Sequence, residues 1–238
     1  MDLFFGTTNP GKLRELRRLV AALPVRVVSP ADLGRPLPEV EEDGLTFAEN
    51  AVKKATAYAR LTGLHALADD SGLCVDALGG APGVHSARWS ELSGGLASPA
   101  CALPDVAARE LGPELARASR DEANNDRLLA SLAGVADEGR GAAYVAVLAL
   151  ARPDGSVVAQ VEGRCAGRIG RVRRGTNGFG YDPLFIPRAE LERSPAAPRT
   201  IAELSPDEKD ALSHRGAAFR ALRPLLEGFA FDKNPPER

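Results

Sequence analysis

Residues 144–151, YVAVLALA, form the clearest strand signal in the chain, because an unbroken apolar run of this length is typical of a buried strand. The turn sequence PDGS and the run VVAQVEG follow it, and this succession predicts a β-hairpin. Elsewhere, short apolar runs alternate with amphipathic stretches, which indicates alternating strands and helices. An antiparallel hairpin within such a pattern predicts an α/β fold with a mixed sheet.

Composition and charge exclude several classes of protein. The 238 residues carry 30 basic and 32 acidic side chains, so no basic excess supports sustained binding of nucleic acid. The three cysteines include no CxxC pair, which indicates reduced thiols and a cytoplasmic protein. We expect neither secretion nor membrane insertion, because no signal-peptide pattern is present and no run approaches the roughly 20 apolar residues of a membrane span.

A strand, a loop and a helix are predicted at the start of the sequence. Residues 2–5, DLFF, are apolar, and leucines at helical spacing follow the loop GTTNPGK. Asn9 and Pro10 favour a helix start there, because Asn caps free amides and Pro suits the first helical position. The loop is either an anion site, with Lys12 and two hydroxyl groups near a helix N-terminus, or a plain capped loop. It lacks the full spacing of a Walker loop.

A second helix is predicted from the capping box of Thr46 and Glu49 to a stop at Gly63. Two adjacent lysines, Lys53 and Lys54, lie on it. The sequence alone leaves open which of them faces a ligand.

Two groups of carboxylates are candidates for metal binding. One precedes the second helix, where acidic residues such as Glu42 and Asp43 are explained by the helix dipole alone. The other is Asp69 and Asp70, in the segment HALADDSGLCV, which predicts a buried strand running into a turn. Ligands bind at the carboxyl ends of such strands, and carboxylate oxygens suit Mg²⁺. Successive strand side chains point to opposite faces, so at most one aspartate faces the ligand and the other orders the turn at SGL.

The segment NGFGYDP at 177–183 has two interpretations. Its glycines allow a loop to approach a ligand closely, and Phe179 is then positioned to stack on a flat base. The alternative is a glycine turn whose aromatic side chain plugs the core.

The segment SPDEKDALSHRGAAFRALRPLL predicts two helices with a break between Leu212 and Arg215. In one straight helix, Arg215 would fall inside the apolar stripe, where an unpaired charge is costly. Lys209 would also lie too far around the helix to act with His214 and Arg215. We expect Ser213 to cap the second helix, with His214 and Arg215 at its entrance.

The remaining segments are less regular. Residues 93–122 are rich in Ala, Gly and Pro and are interpreted as an insertion with one short helix around 104–117. We expect residues 1–230 to form a single catalytic domain and residues 231–238 to be a frayed tail.

The sequence contains, in this order, the segments TTNPGKLREL, EEDGLTFAENAVKKA, ADDSGLCVDALGGAPGVHSARW, GTNGFGYDPLF and ELSPDEKDALSHRG. Together they closely resemble the motifs of the inosine triphosphate pyrophosphatase family, which comprises the non-canonical purine NTP pyrophosphatases. The resemblance covers nearly the whole chain apart from residues 93–122 and the end of the sequence. It implies an elongated mixed α/β fold with two lobes around a central cleft, and a homodimer. It further implies Mg²⁺-dependent cleavage of ITP, dITP and XTP to the monophosphate and pyrophosphate, which removes deaminated purines from the nucleotide pool.

The resemblance also implies roles for individual residues. The triphosphate contacts fall on Thr7, Thr8, Asn9, Pro10, Gly11 and Lys12. The metal ligands are Glu41 and Asp70, Asp70 is also the proton acceptor, and Ser71 is a substrate contact. The base-side contacts fall on Phe179, Gly180, Tyr181, Asp182, Lys209, His214 and Arg215. One of Lys53 and Lys54 is expected to offset phosphate charge, and Lys54 is our candidate. For Arg215 the alternative is a structural charge paired with a carboxylate.

Two departures from the family pattern and two rival functions are relevant. Thr8 stands where the family usually has Gly, so the loop must accept a Cβ, and the insertion after Ser93 is longer than usual. A Maf-type nucleotide pyrophosphatase is one rival, but TTNPGK lacks the Ser-rich and Arg-rich loop of that type. A nucleotide sensor without turnover is the other, and the presence of Glu41 and Asp70 argues against it.

Overall fold

The computed structural model describes residues 1–92 and 112–231. Its strands are β1 (Asp2–Phe5), β2 (Arg26–Val28), β3 (His65–Val75), β4 (Gly141–Ala151), β5 (Val157–Ile169) and β6 (Phe185–Pro187). Its α-helices are α1 (Pro10–Leu19), α2 (Phe47–Thr62), α3 (Gly112–Ser131), α4 (Arg188–Arg193), α5 (Pro206–Leu212) and α6 (His214–Phe231). Short 3₁₀ helices lie at Pro30–Leu33, Asp76–Leu78, Gly83–Glu91, Asp137–Gly139 and Ile201–Glu203. None of the helices in this part of the chain combines the length and apolarity that a membrane span requires.

The six strands form one sheet in the order β2-β1-β3-β4-β5-β6. Strand β1 is parallel to both β2 and β3, whereas β5 is antiparallel to β6. The predicted hairpin joins β4 to β5, and its turn is closed by a hydrogen bond from the Arg152 amide to the Ser156 carbonyl oxygen at 2.9 Å. The prediction of an α/β fold with a mixed sheet is therefore confirmed.

The chain divides into two compact units. The first comprises the described residues of Met1–Ser71, Val145–Arg164 and Ser213–Arg238, and the second those of Gly72–Tyr144 and Cys165–Leu212. Each unit has its own apolar core. In the first, one buried cluster gathers around Leu67 and Phe219 and another around Phe4 and the alanines of α2. In the second, the buried cluster includes Leu73, Leu128 and Phe185.

Local capping fixes the starts of the first two helices as predicted. The Asn9 side-chain oxygen accepts hydrogen bonds from the amides of Gly11 at 2.9 Å and Lys12 at 3.2 Å, and α1 begins at Pro10. Helix α2 begins with the capping box of Thr46 and Glu49 and is followed by Gly63 in the left-handed region, at φ 70°. The helix boundaries therefore follow from side chains that satisfy free amides and from a glycine stop.

The prediction of a turn at residues 71–73 is wrong, because β3 continues through these residues to Val75. The Leu73 amide donates to Ser86 Oγ at 2.8 Å, which holds the strand there. A Cβ at Gly72 would overlap Ser86 Oγ and the Gly83 carbonyl oxygen. Glycine therefore allows close approach within the second unit, and the Ser-Gly pair does not mark a turn.

The predicted helix break between Leu212 and Arg215 is confirmed. Helix α5 ends at Leu212 and α6 begins at His214. Ser213 caps α6, because its Oγ accepts from the Gly216 amide at 3.0 Å. The break follows from a serine that offers its own oxygen to the backbone amides.

The predicted boundaries of the insertion and the tail are only partly comparable with the structure. Helix α3 continues to Ser131, past the predicted end at 117, because Leu128 lies on its buried face in the core of the second unit. The rest of the predicted helix, 104–111, lies outside the described residues. Helix α6 extends to Phe231, and the remainder of the predicted tail also lies outside them.

Candidate functional site

The predicted triphosphate loop connects β1 to α1 in the first unit. The Thr7 hydroxyl oxygen accepts a hydrogen bond from the Asn9 amide at 3.1 Å, and Asn9 in turn caps α1. Thr8 is exposed, and within residues 1–92 and 112–231 every residue with positive φ is a glycine. The loop therefore accepts the Cβ of Thr8 without backbone strain.

Lys12 extends from the first turn of α1 to the Asp69 carboxylate on β3. Asp69 also accepts hydrogen bonds from Ser71 Oγ at 2.8 Å and from Arg215 Nε at 2.7 Å. Burial raises the pKa of this carboxyl group, but the charges of Arg215 and Lys12 outweigh burial and hold the pKa well below its usual range. Asp69 is therefore an ionised, buried anchor for two cations.

Asp70, the next residue of β3, has different partners. Lys54 Nζ donates to its Oδ1 at 3.1 Å and Asn50 Nδ2 to its Oδ2 at 3.2 Å. Burial raises the pKa of Asp70 to about 6, against the charges of Lys54 and Lys12, and the Glu42 carboxylate beside it adds to the rise. The two aspartates thus meet different side chains, as the alternation of strand side chains predicts.

The structure distinguishes the two lysines of α2. Lys54 is buried, and its ammonium group also donates to the Asp69 carbonyl oxygen at 2.9 Å. Lys53 pairs with Asp43 at 2.5 Å, and both of these side chains are largely exposed. Lys54 is therefore the lysine that α2 brings to β3.

The structure brings Glu42, the neighbour of the predicted Glu41, to Asp70. The Glu42 and Asp70 side chains are hydrogen bonded, and Glu42 Oε2 lies 3.2 Å from Lys54 Nζ. Burial raises the pKa of Glu42, but the charge of Lys54 together with hydrogen bonds to Asp70 and Lys54 lowers this pKa below its ordinary value. Glu41 is exposed, and its role as a metal ligand stays a prediction.

Arg215 lies in the first turn of α6 and is only 2% exposed. Its guanidinium group donates to Glu15 of α1, to Asp69 and, at 3.0 Å, to Ser71 Oγ. These contacts support the alternative that Arg215 is a structural charge. Its base-side contact, like that of the buried His214, stays a prediction.

The base-side candidates Phe179, Gly180, Tyr181, Asp182 and Lys209 belong to the second unit. Asp182 Oδ2 accepts from the Phe179 amide at 2.9 Å and from Lys209 Nζ at 2.6 Å. Lys209 Nζ also lies 4.6 Å from the centroid of the Phe179 ring, which is a cation–π distance. Gly178 has φ 83°, and a Cβ there would overlap the Asp182 carboxylate. The carboxylate thus orders both the turn and the lysine.

Tyr181 belongs to the core of the second unit. It is 3% exposed, and its hydroxyl group donates to the Ser86 carbonyl oxygen at 3.0 Å. Of the two interpretations of this segment, the plug in the core therefore applies to Tyr181, whereas Phe179 is half-buried beside Lys209. A substrate contact by Tyr181 stays a prediction.

Comparison with known proteins identifies the family. The Ham1 family model matches residues 3–225. The chain belongs to the Ham1 family. It is 70% identical over 232 residues to the dITP/XTP pyrophosphatase of Anaeromyxobacter dehalogenans, covering 97% of this chain and 99% of that one. It is 46% identical over 226 residues to the enzyme of the same name from Streptomyces coelicolor, covering 94% and 96%.

Solved structures of the Ham1 family match the fold. A HAM1 protein from Coxiella burnetii is 33% identical with a TM-score of 0.72, over 96% of this chain and 99% of that one. The dITP/XTP pyrophosphatase of Mycobacterium abscessus is 44% identical with a TM-score of 0.64, over 95% and 99%. The resemblance stated from the sequence motifs is therefore confirmed.

The sequence interpretation missed several side chains at the site of this Ham1 family member. Asn50 lies one turn before Lys54 on α2. A polar side chain within a stripe of alanines was the sequence signal that could have identified Asn50 as a site residue. Glu15 adjoins the buried Leu16, but its partner Arg215 is 200 residues away in the chain. No local pattern could have linked those two charges.

Proposed function

We propose that the chain hydrolyses non-canonical purine nucleoside triphosphates, ITP, dITP and XTP, to the nucleoside monophosphate and pyrophosphate. The observation that carries the proposal is the pairing of the partly buried Lys12 with Asp69 and of the buried Lys54 with Asp70, which are consecutive buried residues of β3. Identity of 70% to a protein named dITP/XTP pyrophosphatase supports the choice of substrate class.

The cations of the first unit bind the triphosphate in this proposal. Lys12 and Lys54 offset phosphate charge, and the hydroxyl groups of Thr7 and Thr8 donate hydrogen bonds. Positive charge held at fixed positions stabilises the negative charge that develops on the leaving pyrophosphate. Asp69 fixes Lys12 in place, and Asp70 orients Lys54.

Asp70 is the proposed proton acceptor. A water molecule attacks the α-phosphorus, its proton passes to an Asp70 carboxylate oxygen, and the bond to the pyrophosphate oxygen breaks. Water and the triphosphate thus become the monophosphate and pyrophosphate, without any oxidant or second substrate. Asn50, which donates to the other oxygen of Asp70, keeps the carboxylate oriented.

The side chains around Asp70 fit Mg²⁺. Glu42 and Asp70 are two hard-oxygen donors close enough to hydrogen bond with each other, and Mg²⁺ is commonly held by one or two carboxylates plus substrate phosphates. When bound, Mg²⁺ would supply charge neutralisation and lower the pKa of a coordinated water. We propose Asp70 with Glu42 or Glu41 as its protein ligands.

In this proposal, residues of the second unit select the purine base of the substrate. Phe179 stacks on the purine, and Lys209 is a donor for the O6 of a 6-keto purine, where adenine carries an amino group. Buried donors that meet the wrong group stay unpaired, which is how such sites reject an analogue. His214 is a further proposed base contact, and for Arg215 the pairing with the buried carboxylates of Glu15 and Asp69 favours the structural alternative.

Pyrophosphate release from a panel of ITP, dITP, XTP, GTP, ATP and pyrimidine triphosphates tests the function. We expect turnover of ITP and dITP, whose purine has no 2-substituent, and of XTP, whose purine has a 2-keto group, to exceed turnover of ATP and GTP. Preference for pyrimidine nucleotides would indicate a Maf-type activity. Binding without release of pyrophosphate would indicate a sensor.

We also propose that the protein is a cytoplasmic homodimer, as the resemblance implies. Light scattering coupled to gel filtration measures its oligomeric state. A monomer at assay concentration, with full activity, would contradict the dimer.

A further inference from the structure

Side chains of helix α3 hydrogen bond to both backbone groups of Gly180, in the turn that carries the base-side candidates. Asp121 Oδ2 accepts a hydrogen bond from the Gly180 amide at 2.8 Å. Asn125 Nδ2 donates to the Gly180 carbonyl oxygen at 2.9 Å. Asp121 and Asn125 are four residues apart and therefore lie on the same face of the helix.

The two contacts add to the hydrogen bonds that close the turn, which run from the Phe179 amide to Asp182 Oδ2 and from the Asp182 amide to the Phe179 carbonyl oxygen. Gly180 has φ 62°, in the left-handed region, and a Cβ built there would meet open space. Side-chain packing at Gly180 therefore does not hold the turn. Hydrogen bonds hold the turn, and those with Asp121 and Asn125 of α3 are the ones made by the amide and the carbonyl group of Gly180 itself.

Asn125 occupies an energetically costly position. It is 1% exposed, and its Oδ1 atom is buried without a hydrogen-bond partner in the part of the chain that the structure describes. An unpaired buried acceptor destabilises a fold. Its Nδ2 group donates to the Asp121 carbonyl oxygen at 2.8 Å as well as to Gly180, so the amide is used as a double donor.

Gly180 lies in the chain between Phe179, which the proposed function assigns to the base, and Asp182, the partner of the assigned Lys209. Phe179 precedes Gly180, and Asp182, which holds Lys209, follows two residues later. A change in the Gly180 conformation would move the Phe179 ring and the carboxylate that positions the lysine. Small displacements of groups that contact the base, far from the reacting phosphorus, weaken substrate binding and discrimination between bases.

We propose that Asp121 and Asn125 are positioning residues for base recognition, acting through Gly180 on Phe179 and Lys209. This inference rests on the proposed function. Neither side chain needs to touch the substrate. The expected loss therefore appears in KM and in the choice of base rather than in the chemical step.

Kinetics of Asp121→Ala, Asp121→Asn and Asn125→Ala test the proposal, with Asp126→Ala as the matched control. Asp126 lies on the same helix but pairs with Arg173 at 2.8 Å. We expect Asp121→Ala and Asn125→Ala to raise KM for ITP by roughly tenfold and lower the ITP to ATP efficiency ratio, with kcat within about threefold. Asp121→Asn keeps an acceptor oxygen, so it should restore most of both parameters, and Asp126→Ala should change neither.

Hydrogen–deuterium exchange supplies a readout that does not need turnover. We expect faster exchange in the 178–182 peptide of Asp121→Ala and Asn125→Ala, and no change there in Asp126→Ala. Should Asp121→Ala fail to fold, Asn125→Ala removes the other contact and gives the same comparison. Unchanged KM, unchanged base ratio and unchanged exchange in a folded variant would overturn the proposal.

The two proposals fail in different ways. Absence of pyrophosphate release by the unmodified protein on every nucleotide would contradict the proposed function. Normal turnover by the unmodified protein, with the same base ratio in Asp121→Ala and Asn125→Ala, would contradict the positioning role alone. Equal loss in Asp121→Asn and Asp121→Ala, accompanied by a lower melting temperature, would also overturn it in favour of a structural role.

Discussion

The ammonium group of Lys54 lies 3.1 Å from Oδ1 of Asp70, and both side chains are buried. Its neighbour Lys53 pairs with Asp43 at the surface. Adjacent residues of a helix are separated by about 100° around its axis, so only one of the two lysines faces β3. The helix therefore provides the candidate lysine and a matched control at consecutive positions.

Lys54→Ala should lower kcat/KM for ITP by roughly 10- to 100-fold, because a charged hydrogen bond to the triphosphate is lost. Lys53→Ala, which removes the same charge from the exposed face, should stay within about threefold. Steady-state pyrophosphate release measures both. Equal effects of the two substitutions would contradict the assignment of Lys54.

Asp70→Asn should abolish turnover while ITP binding survives, because the amide keeps the shape of the carboxylate but cannot accept the proton. Calorimetric titration with ITP and pyrophosphate release measure binding and turnover separately. Asp69→Asn is the comparison, and it should mainly lower the melting temperature, since Asp69 is the buried partner of Lys12 and Arg215. Turnover of Asp70→Asn within tenfold of the parent would remove Asp70 from the mechanism.

Local signals predicted much of the fold. The Asn9 cap, the capping box at Thr46 and the break at Ser213 each depend on side chains within a few residues of the backbone groups that they satisfy. Such interactions depend only on short stretches of sequence, so they can be identified without knowledge of the tertiary structure.

Contacts between distant residues could not be predicted in the same way. The continuation of β3 through Gly72 depends on its approach to Ser86, which is a tertiary contact. Arg215 and Asp69 are 146 residues apart, and only the fold brings them together. The choice between Glu41 and Glu42 depends on the course of an irregular segment, for which neither helix nor strand periodicity gives a direction.

Glu42→Gln and Glu41→Gln form a matched pair for the metal. Because Glu42 lies beside Asp70, Glu42→Gln should raise the Mg²⁺ concentration for half-maximal activity by roughly tenfold, and Glu41→Gln should leave it within about twofold. Titration of activity with Mg²⁺ at saturating ITP measures this. The reverse order would assign the ligand to Glu41.

Removing Mg²⁺ with a chelator should abolish pyrophosphate release and leave the melting temperature nearly unchanged. The first unit has its own buried apolar clusters, so we expect its fold to persist without a metal. Addition of Mg²⁺ should restore activity. Full activity in excess chelator would exclude the proposed dependence.

Glu208 in the first turn of α5 should make stability depend on acid pH. Its hydrogen bonds from Arg199 lower the pKa from the ordinary 4.5 to about 2. A carboxyl group with a lowered pKa in the folded state stabilises the protein above its ordinary pKa, and this stabilisation is lost as pH falls towards the folded value. The difference in unfolding free energy between the parent and Glu208→Gln should therefore be constant above about pH 4.5 and shrink from there to about pH 2. Urea unfolding across this range measures it, with the exposed Glu192→Gln as a control.

Arg215→Ala separates a structural charge from a base contact. Removing the guanidinium group leaves the buried carboxylates of Glu15 and Asp69 without their shared partner, which should cost about 3 to 5 kcal/mol of unfolding free energy. We therefore expect a clearly lower melting temperature and an equal loss of efficiency on ITP and ATP. Arg223→Ala, on the exposed face of α6 where Arg223 pairs with Glu227 at 2.8 Å, should change neither. A fall in the ITP to ATP ratio without loss of stability would instead assign Arg215 to the base, because only a donor that meets the purine distinguishes a 6-keto from a 6-amino group.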